Sequence, residues 1–205
     1  MARDTQSIVK MSRREGYALH PKAHKALVKR STPPGQQKTR GYRNKPSQYS
    51  LQLREKQKVK RLYGLLERQF AKLMEEAVNT PGQTGAILLQ NLERRLDNVL
   101  YRAGFAVSRR ASRQLATHGH FTLNGRRVDV PSLRVKPGDV FVLRGASAKS
   151  DYFKHLDELS PAPADIPGWL KANRKKVEIT ITGLPTREDA EPDIKEQLIV
   201  EYYSR

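Results

Sequence analysis

The chain has 205 residues, 37% of them apolar, 29% charged, with no cysteine and a formal net charge of +18. That length holds one or two domains, and the cysteine count excludes disulfides, thiolate zinc sites and cysteine nucleophiles together. No apolar run reaches the 18 or so residues of a membrane span, and Met1–Lys10 has no apolar core of a secretory signal, so neither membrane nor secretion is expected.

Positive charge this large opposes compaction unless a polyanion neutralises it, and nucleic acid is the leading partner, ahead of a membrane surface. The charge is uneven. Residues 1–50 carry 12 basic and 2 acidic side chains, whereas residues 151–205 carry 8 and 11. Residues 1–46 contain Pro21, Pro33, Pro34 and Pro46 and few large apolar residues. They read as an irregular basic arm that orders on an anionic surface.

Residues 47–79 read as one long helix capped by Ser47 or Ser50. Val59, Leu62, Leu66, Phe70 and Leu73 recur at steps of three and four. Its cations come first and its acids last, against the helix dipole. Local stability therefore does not account for Lys56, Lys58, Lys60 and Arg61, and external phosphates or a solvated face would. Asn79–Gly82 is a turn, and Thr84 starts a second helical stretch that Gly104 stops, with a break near Leu92.

Ser108 caps a short helix ending at Gly119, with Arg109, Arg110, Arg113 and Gln114 on its polar side. Phe121 and Leu123 alternate up to Asn124-Gly125, a strong hairpin turn signal. Residues 140–143 form a buried strand, 145–168 a linker, and 177–181 a further strand; Asp193 caps a closing helix over 194–203.

No catalytic constellation appears: there is no Walker loop, G-x-S-x-G or H-E-x-x-H. His20 and His24 are four apart, but Pro21 between them disfavours a helix and no third ligand is near. The acids Glu188, Asp189, Glu191 and Asp193 lack calcium-loop spacing and read as a solvated turn. The positive finding is an arginine face on short rigid elements. The Ser108 helix start offers backbone N–H groups to a phosphate, and Arg109, Arg110 and Arg113 can each fork onto phosphate oxygens. Arg126 and Arg127 follow the hairpin turn and extend that surface. RNP aromatics and a GXXG loop are missing, so a structured RNA suits the surface better than a base-reading mode.

Several stretches carry a family resemblance. Leu92–Phe105, Ser108–Leu115, His118-Gly-His120, Leu123–Arg126 and Val135–Val140 resemble the S-four RNA-binding domain. The flanks narrow it: Ser12–Gly16, Pro33–Gln36, Tyr49–Lys58, Tyr63-Gly64, Leu66–Phe70 and Gln197–Arg205 resemble the bacterial-type ribosomal S-four family, nearly end to end. The resemblance implies an α+β fold. A mostly helical domain, residues 47–91 with 170–205, would surround an inserted α/β RNA-binding domain and linker, residues 92–169, behind the basic arm 1–46. It implies a structural, non-catalytic component of the cytoplasmic small ribosomal subunit. Such proteins bind the 5′ domain of the small-subunit ribosomal RNA early, nucleate assembly and influence decoding accuracy. Implied partners are that RNA, the fifth small-subunit protein, and messenger RNA where it enters the subunit, with no cofactor.

On this reading the RNA-binding residues are Arg3, Arg13 and Arg14 of the arm, then Tyr49, Gln52, Arg54, Lys56, Lys58, Lys60 and Arg61 of the first long helix. In the inserted domain they are Arg102, Ser108, Arg109, Arg110, Arg113, Gln114, His118, His120, Asn124, Arg126, Arg127 and Lys136. Many relatives carry a four-cysteine zinc knot in the arm. Val9 and Ser12 stand where its first two cysteines would be, so no structural zinc is expected. Two other classes share the same module: a free RNA chaperone, and an RNA-modifying enzyme, which needs a catalytic domain that this length does not provide.

Overall fold

The computed structural model describes residues 4–35, 46–163 and 165–204. Within them the chain divides into two compact units, residues 1–85 with 193–205, and residues 86–192. The second unit therefore includes residues 170–192.

The first unit is helical. α1 (Ile8–Glu15) and α2 (Pro21–Lys29) occupy the arm expected to be irregular. Pro21 is compatible because it sits at the first helical position, where its missing N–H costs nothing, with the His20 ring accepting from Lys22 N as N-cap. Met11, Leu19 and Ala23 are buried, and α1 packs on both α2 and α3 (Gln48–Leu62). The single long helix expected over 47–79 is two helices, α3 and α4 (Glu67–Val78). Gly64 between them takes φ +65, the left-handed conformation that ends a helix, so the periodicity continues while the axis does not. Phe70, Leu73, Met74 and Ala77 supply the buried face of α4.

The unit is closed by α11 (Glu196–Tyr203), which packs along α3 with Ile199 fully buried. The Asp193 side chain is not its cap; α11 begins after Lys195, whose backbone N–H donates to Glu55 Oε1 at 2.9 Å.

The second unit begins within α5 (Thr84–Glu93) and continues through α6 (Leu96–Arg102) and α7 (Arg109–Thr117). α5 and α6 part at Arg94–Arg95, where Leu96 N donates to Leu133 O and Arg95 bridges Arg134. An all-antiparallel sheet follows: β1 (Phe121–Leu123), β2 (Arg126–Val128), β3 (Val140–Leu143), β4 (Leu170–Asn173) and β5 (Glu178–Ile181). Their order is β2-β1-β3-β5-β4. β4 escaped the sequence reading because Leu170-Lys-Ala-Asn173 is too short and polar to show a period-two pattern. Asn124 and Gly125 at φ 48 and 85 make the β1–β2 turn, the two positive values that suit a tight hairpin.

Strand pairing puts Phe121, Phe141 and Ile179 on the inner face, all fully buried with Leu96, Leu100 and Phe105. A row across the other face reads Arg127, Thr122, Val142, Glu178, Asn173. Burying each such Phe is worth about 1.5–3 kcal/mol. The segment expected to be a linker folds into three single turns, α8 (Gly145–Ala148), α9 (Asp151–Lys154) and α10 (Leu156–Leu159). Phe153 and Leu156 join the core, and Tyr152 Oη donates to Phe105 O at 2.9 Å. Alanine, serine and proline masked that fold, because two apolar anchors in 20 residues carry no periodicity.

Candidate nucleic-acid interface

The cations of α3 are held by carboxylates of their own unit. Lys56 Nζ lies 2.6 Å from Glu67 Oε1 and Lys60 Nζ 2.8 Å from Glu67 Oε2. Arg54 and Arg61 both reach Glu15, whose side chain is fully buried. Lys58 Nζ bridges Glu55 at 2.8 Å and Asp193 O at 2.7 Å. The reversed charge order on this helix thus has an internal cause: α1 and α4 bring the acids that the dipole did not.

Lys56 is only 4% exposed, and its ammonium sits 4.4 Å from the Tyr202 ring centroid. Gln52 is buried too, its Nε2 donating to Glu201 at 2.8 Å. These two side chains join α3 to its neighbours. Tyr49, at 48% exposure, rests its ring 5.8 Å from that of Tyr202. Burial tends to raise the Glu67 carboxyl, but hydrogen bonds from Lys56 and Lys60 outweigh it and lower the carboxyl to about 2.

In the arm, Arg13 donates from Nε to Thr32 O at 3.0 Å and fixes the turn after α2. Arg14 is exposed and lines a cleft with Lys10, Arg61 and Gly35. Ser12, fully buried, donates to Ile8 O and accepts from Leu19 N, tying α1 to the chain leading into α2. Arg3 lies outside the described residues.

In the second unit the arginines of α7 separate onto two faces. Arg109 donates to Asn98 Oδ1 and to Glu191 Oε1, both at 2.9 Å, with its guanidinium over the Tyr101 ring. Arg113 reaches Asp97 Oδ2 at 3.3 Å, beside the buried Arg95–Asp97 pair. Arg102 forks onto Glu93, with Nε to Oε2 at 3.0 Å and Nη2 to Oε1 at 2.9 Å. Glu93 is fully buried and also accepts from Asn98. One continuous polar network therefore joins α5, α6, α7 and the acidic turn at Glu191. That turn read as solvated, because the sequence does not show that Glu191 folds back onto α7.

The opposite side of α7 presents Arg110, Gln114 and His118, spaced by four residues and all exposed. Ser108 Oγ accepts from Ala111 N at 3.3 Å and is itself buried, so it works as a cap. Arg126, Arg127 and Lys136 are exposed. Asn124 builds structure, its Oδ1 accepting from Val140 N and its Nδ2 donating to Asp139 Oδ1. Beyond the end of α7, Arg144 donates to Gly119 O at 3.1 Å, next to His120. Sequence reasoning missed Arg144, which stands just past a strand and shows no spacing relative to α7.

Among the described residues no group of three His, Asp or Glu is arranged to hold a metal ion, and no helix is long and apolar enough to cross a membrane.

Comparison with known proteins gives two family matches that together span most of the chain. Residues 3–93 match the ribosomal protein S4/S9 N-terminal domain, and residues 94–141 match the S4 domain. Among curated relatives, the small ribosomal subunit protein uS4 of Herpetosiphon aurantiacus is 50% identical over 211 aligned positions, covering all of both chains. The uS4 protein of Clostridioides difficile is 52% identical, and that of Roseiflexus castenholzii 48%, again over the whole of both chains.

Proposed function

Because the chain belongs to the ribosomal protein uS4 family, we propose that it is a structural, non-catalytic constituent of the small ribosomal subunit, working in the cytoplasm and binding small-subunit ribosomal RNA. More finely, it binds the 5′ domain of that RNA early, nucleates assembly around it and bears on decoding accuracy. The fifth small-subunit protein and the incoming messenger RNA are its further partners on this reading.

The observation that carries the RNA contact is the exposed row Arg110–Gln114–His118 along α7, together with the exposed Arg126, Arg127 and Lys136 of the same unit. Cations exposed to solvent can reach phosphates and displace their counterions. Arg14 and Tyr49 are the corresponding exposed groups of the first unit. Lys56, Gln52, Arg102, Arg109 and Arg113 act through positioning, by fixing the helices that present the exposed groups.

The test is a salt-titrated binding assay against the isolated 5′ domain, with an unrelated structured RNA of equal length as competitor. Tight binding that survives the competitor is expected. Equal affinity for both RNAs, collapsing together with salt, would leave a nonspecific polycation and favour a chaperone.

A further inference from the structure

Four basic side chains converge on one glycine. Gly119 stands between His118 and His120 with φ +66, just past α7. A methyl group added there would sit 2.6 Å from Arg127 Nε, so the glycine lets that guanidinium lie directly on the backbone. From the other side Arg144 Nη1 donates to Gly119 O at 3.1 Å. The His118 and His120 rings are 5.7 Å apart.

His120 is held firmly. Its Nδ1 lies 3.0 Å from Ser147 Oγ of α8, and its ring meets Phe153 of α9 edge-on at 5.4 Å. The charged side chains of α9 are Asp151 and Lys154, and they pair with each other. α8 carries none. Burial pushes the His120 imidazole below the ordinary value, and His118 and Arg144, both of its own sign, push it further. This corner differs from the Arg109 face, where Glu93, Asp97 and Glu191 balance the arginines. Here the fold gathers cations and brings no acid among the groups acting on His120. Two of the four are imidazoles, whose charge is set near neutral pH.

We propose that this corner is a phosphodiester-binding site of the RNA surface, and that it takes up a proton from solvent on His120 as the RNA binds. The inference rests on the RNA-binding reading above. Burial and like charges disfavour the His120 imidazolium in the free protein, and an arriving phosphate offsets them by supplying an anion. Proton uptake on binding means that affinity rises as pH falls, until the free protein is itself protonated.

The experiment uses the full chain and the 5′-domain RNA. Calorimetric titrations at pH 6.5 in two buffers of different ionisation enthalpy read the protons taken up. Binding titrations at constant salt from pH 8 to 6 read the slope. The natural chain should take up a fraction of a proton and tighten by about five- to tenfold across that range, the size expected when one imidazole gains an anion.

In the H118Q/H120Q chain the change should fall below about twofold, since glutamine does not titrate. His120 packs on Phe153, so H118Q alone, at an exposed position, is run beside it and should remove part of the slope. His20, His24 and His155 are untouched in both variants and serve as the internal control. Tight RNA binding with no proton uptake, or a pH slope that both variants keep, would overturn the inference and leave the RNA reading standing. Proton uptake with inorganic phosphate but none with RNA would also overturn it. Failure to bind the RNA at any pH would remove the reading on which it rests.

Discussion

Glu191 Oε1 lies 2.9 Å from Arg109 Nη2 and 3.6 Å from Arg102 Nη2, so a residue of the acidic turn neutralises the α7 face that reads from sequence as a phosphate clamp. Burial works to raise the Glu191 carboxyl, and the two arginines more than offset it, leaving it below the ordinary range. A depressed carboxyl contributes stability that is complete above its unfolded value and is lost as pH falls through the lower folded one. Glu191→Gln should cost about 1–2 kcal/mol at pH 7, the loss of charge-assisted hydrogen bonds. The deficit should shrink below pH 4.5 and towards the lower folded value, measured by urea unfolding across that range. A deficit that stays constant with pH would mean the pairing carries no charge-dependent stability.

The two faces of α7 should separate in mutants. Arg110→Ala should lower the slope of log affinity against log salt by about one unit, with the melting temperature unchanged. Arg109→Ala should instead lower the melting temperature, because it removes the nearer guanidinium from Glu191 and a donor to Asn98. Replacing all three arginines at once would mix the two effects. A stability loss in R110A without a change in salt slope would reverse the assignment of the faces.

Deleting residues 1–45 should destabilise the first unit as well as weaken RNA binding. α1 buries Met11 against the fold, and Glu15 answers Arg54 and Arg61 with its side chain out of solvent. Glu15→Ala alone should lower the denaturation midpoint, because it takes from Arg54 and Arg61 the carboxylate they share. Chemical denaturation of both chains checks this. An unchanged midpoint for the deletion would return the arm to the status of an appendage.

Lys56 offers the contrasting case. Lys56→Met keeps much of the side-chain volume but removes the charge between Glu67 and the Tyr202 ring. Its salt slope for RNA should match that of the natural chain, whereas its stability should fall. The natural chain should also lose stability in acid as pH drops from 4.5 towards about 2, because over that interval the unfolded chain takes up the proton that the lowered Glu67 carboxyl still refuses in the folded state. The difference between the two chains should narrow over that interval. A salt slope reduced in K56M would instead put this ammonium on phosphate.

The apolar periodicity of residues 47–79 and 84–104 and the Asn124-Gly125 turn made the helices and the first hairpin legible, because those signals are local. The partners of the charges were not legible. Lys56 and Arg110 look alike in a charge pattern, and only the return of α4 and α11 buries one and leaves the other exposed. Arg109 and Arg113 look like a phosphate fork until Asp97 and Glu191 arrive from elsewhere in the chain. The arm was misread because Pro21 at a first helical position looks the same in sequence as Pro21 inside a helix that it would break. β4 and the turns between 145 and 159 are shorter than any period, so tertiary burial of Leu170, Phe153 and Leu156 decides them.

The pairing of α3 with α11 also dictates an order of events. The first unit cannot close its core until a segment more than a hundred residues downstream is made, whereas the second unit is contiguous and holds all its strand partners. During synthesis the middle of the chain should reach its native state before the beginning does. Long loop closure slows the first unit further in refolding from denaturant. Pulsed hydrogen exchange should find the amides of β1, β3 and β5 protected before those of α3, and the reverse sequence would show that α3 and α4 hold together without their last partner.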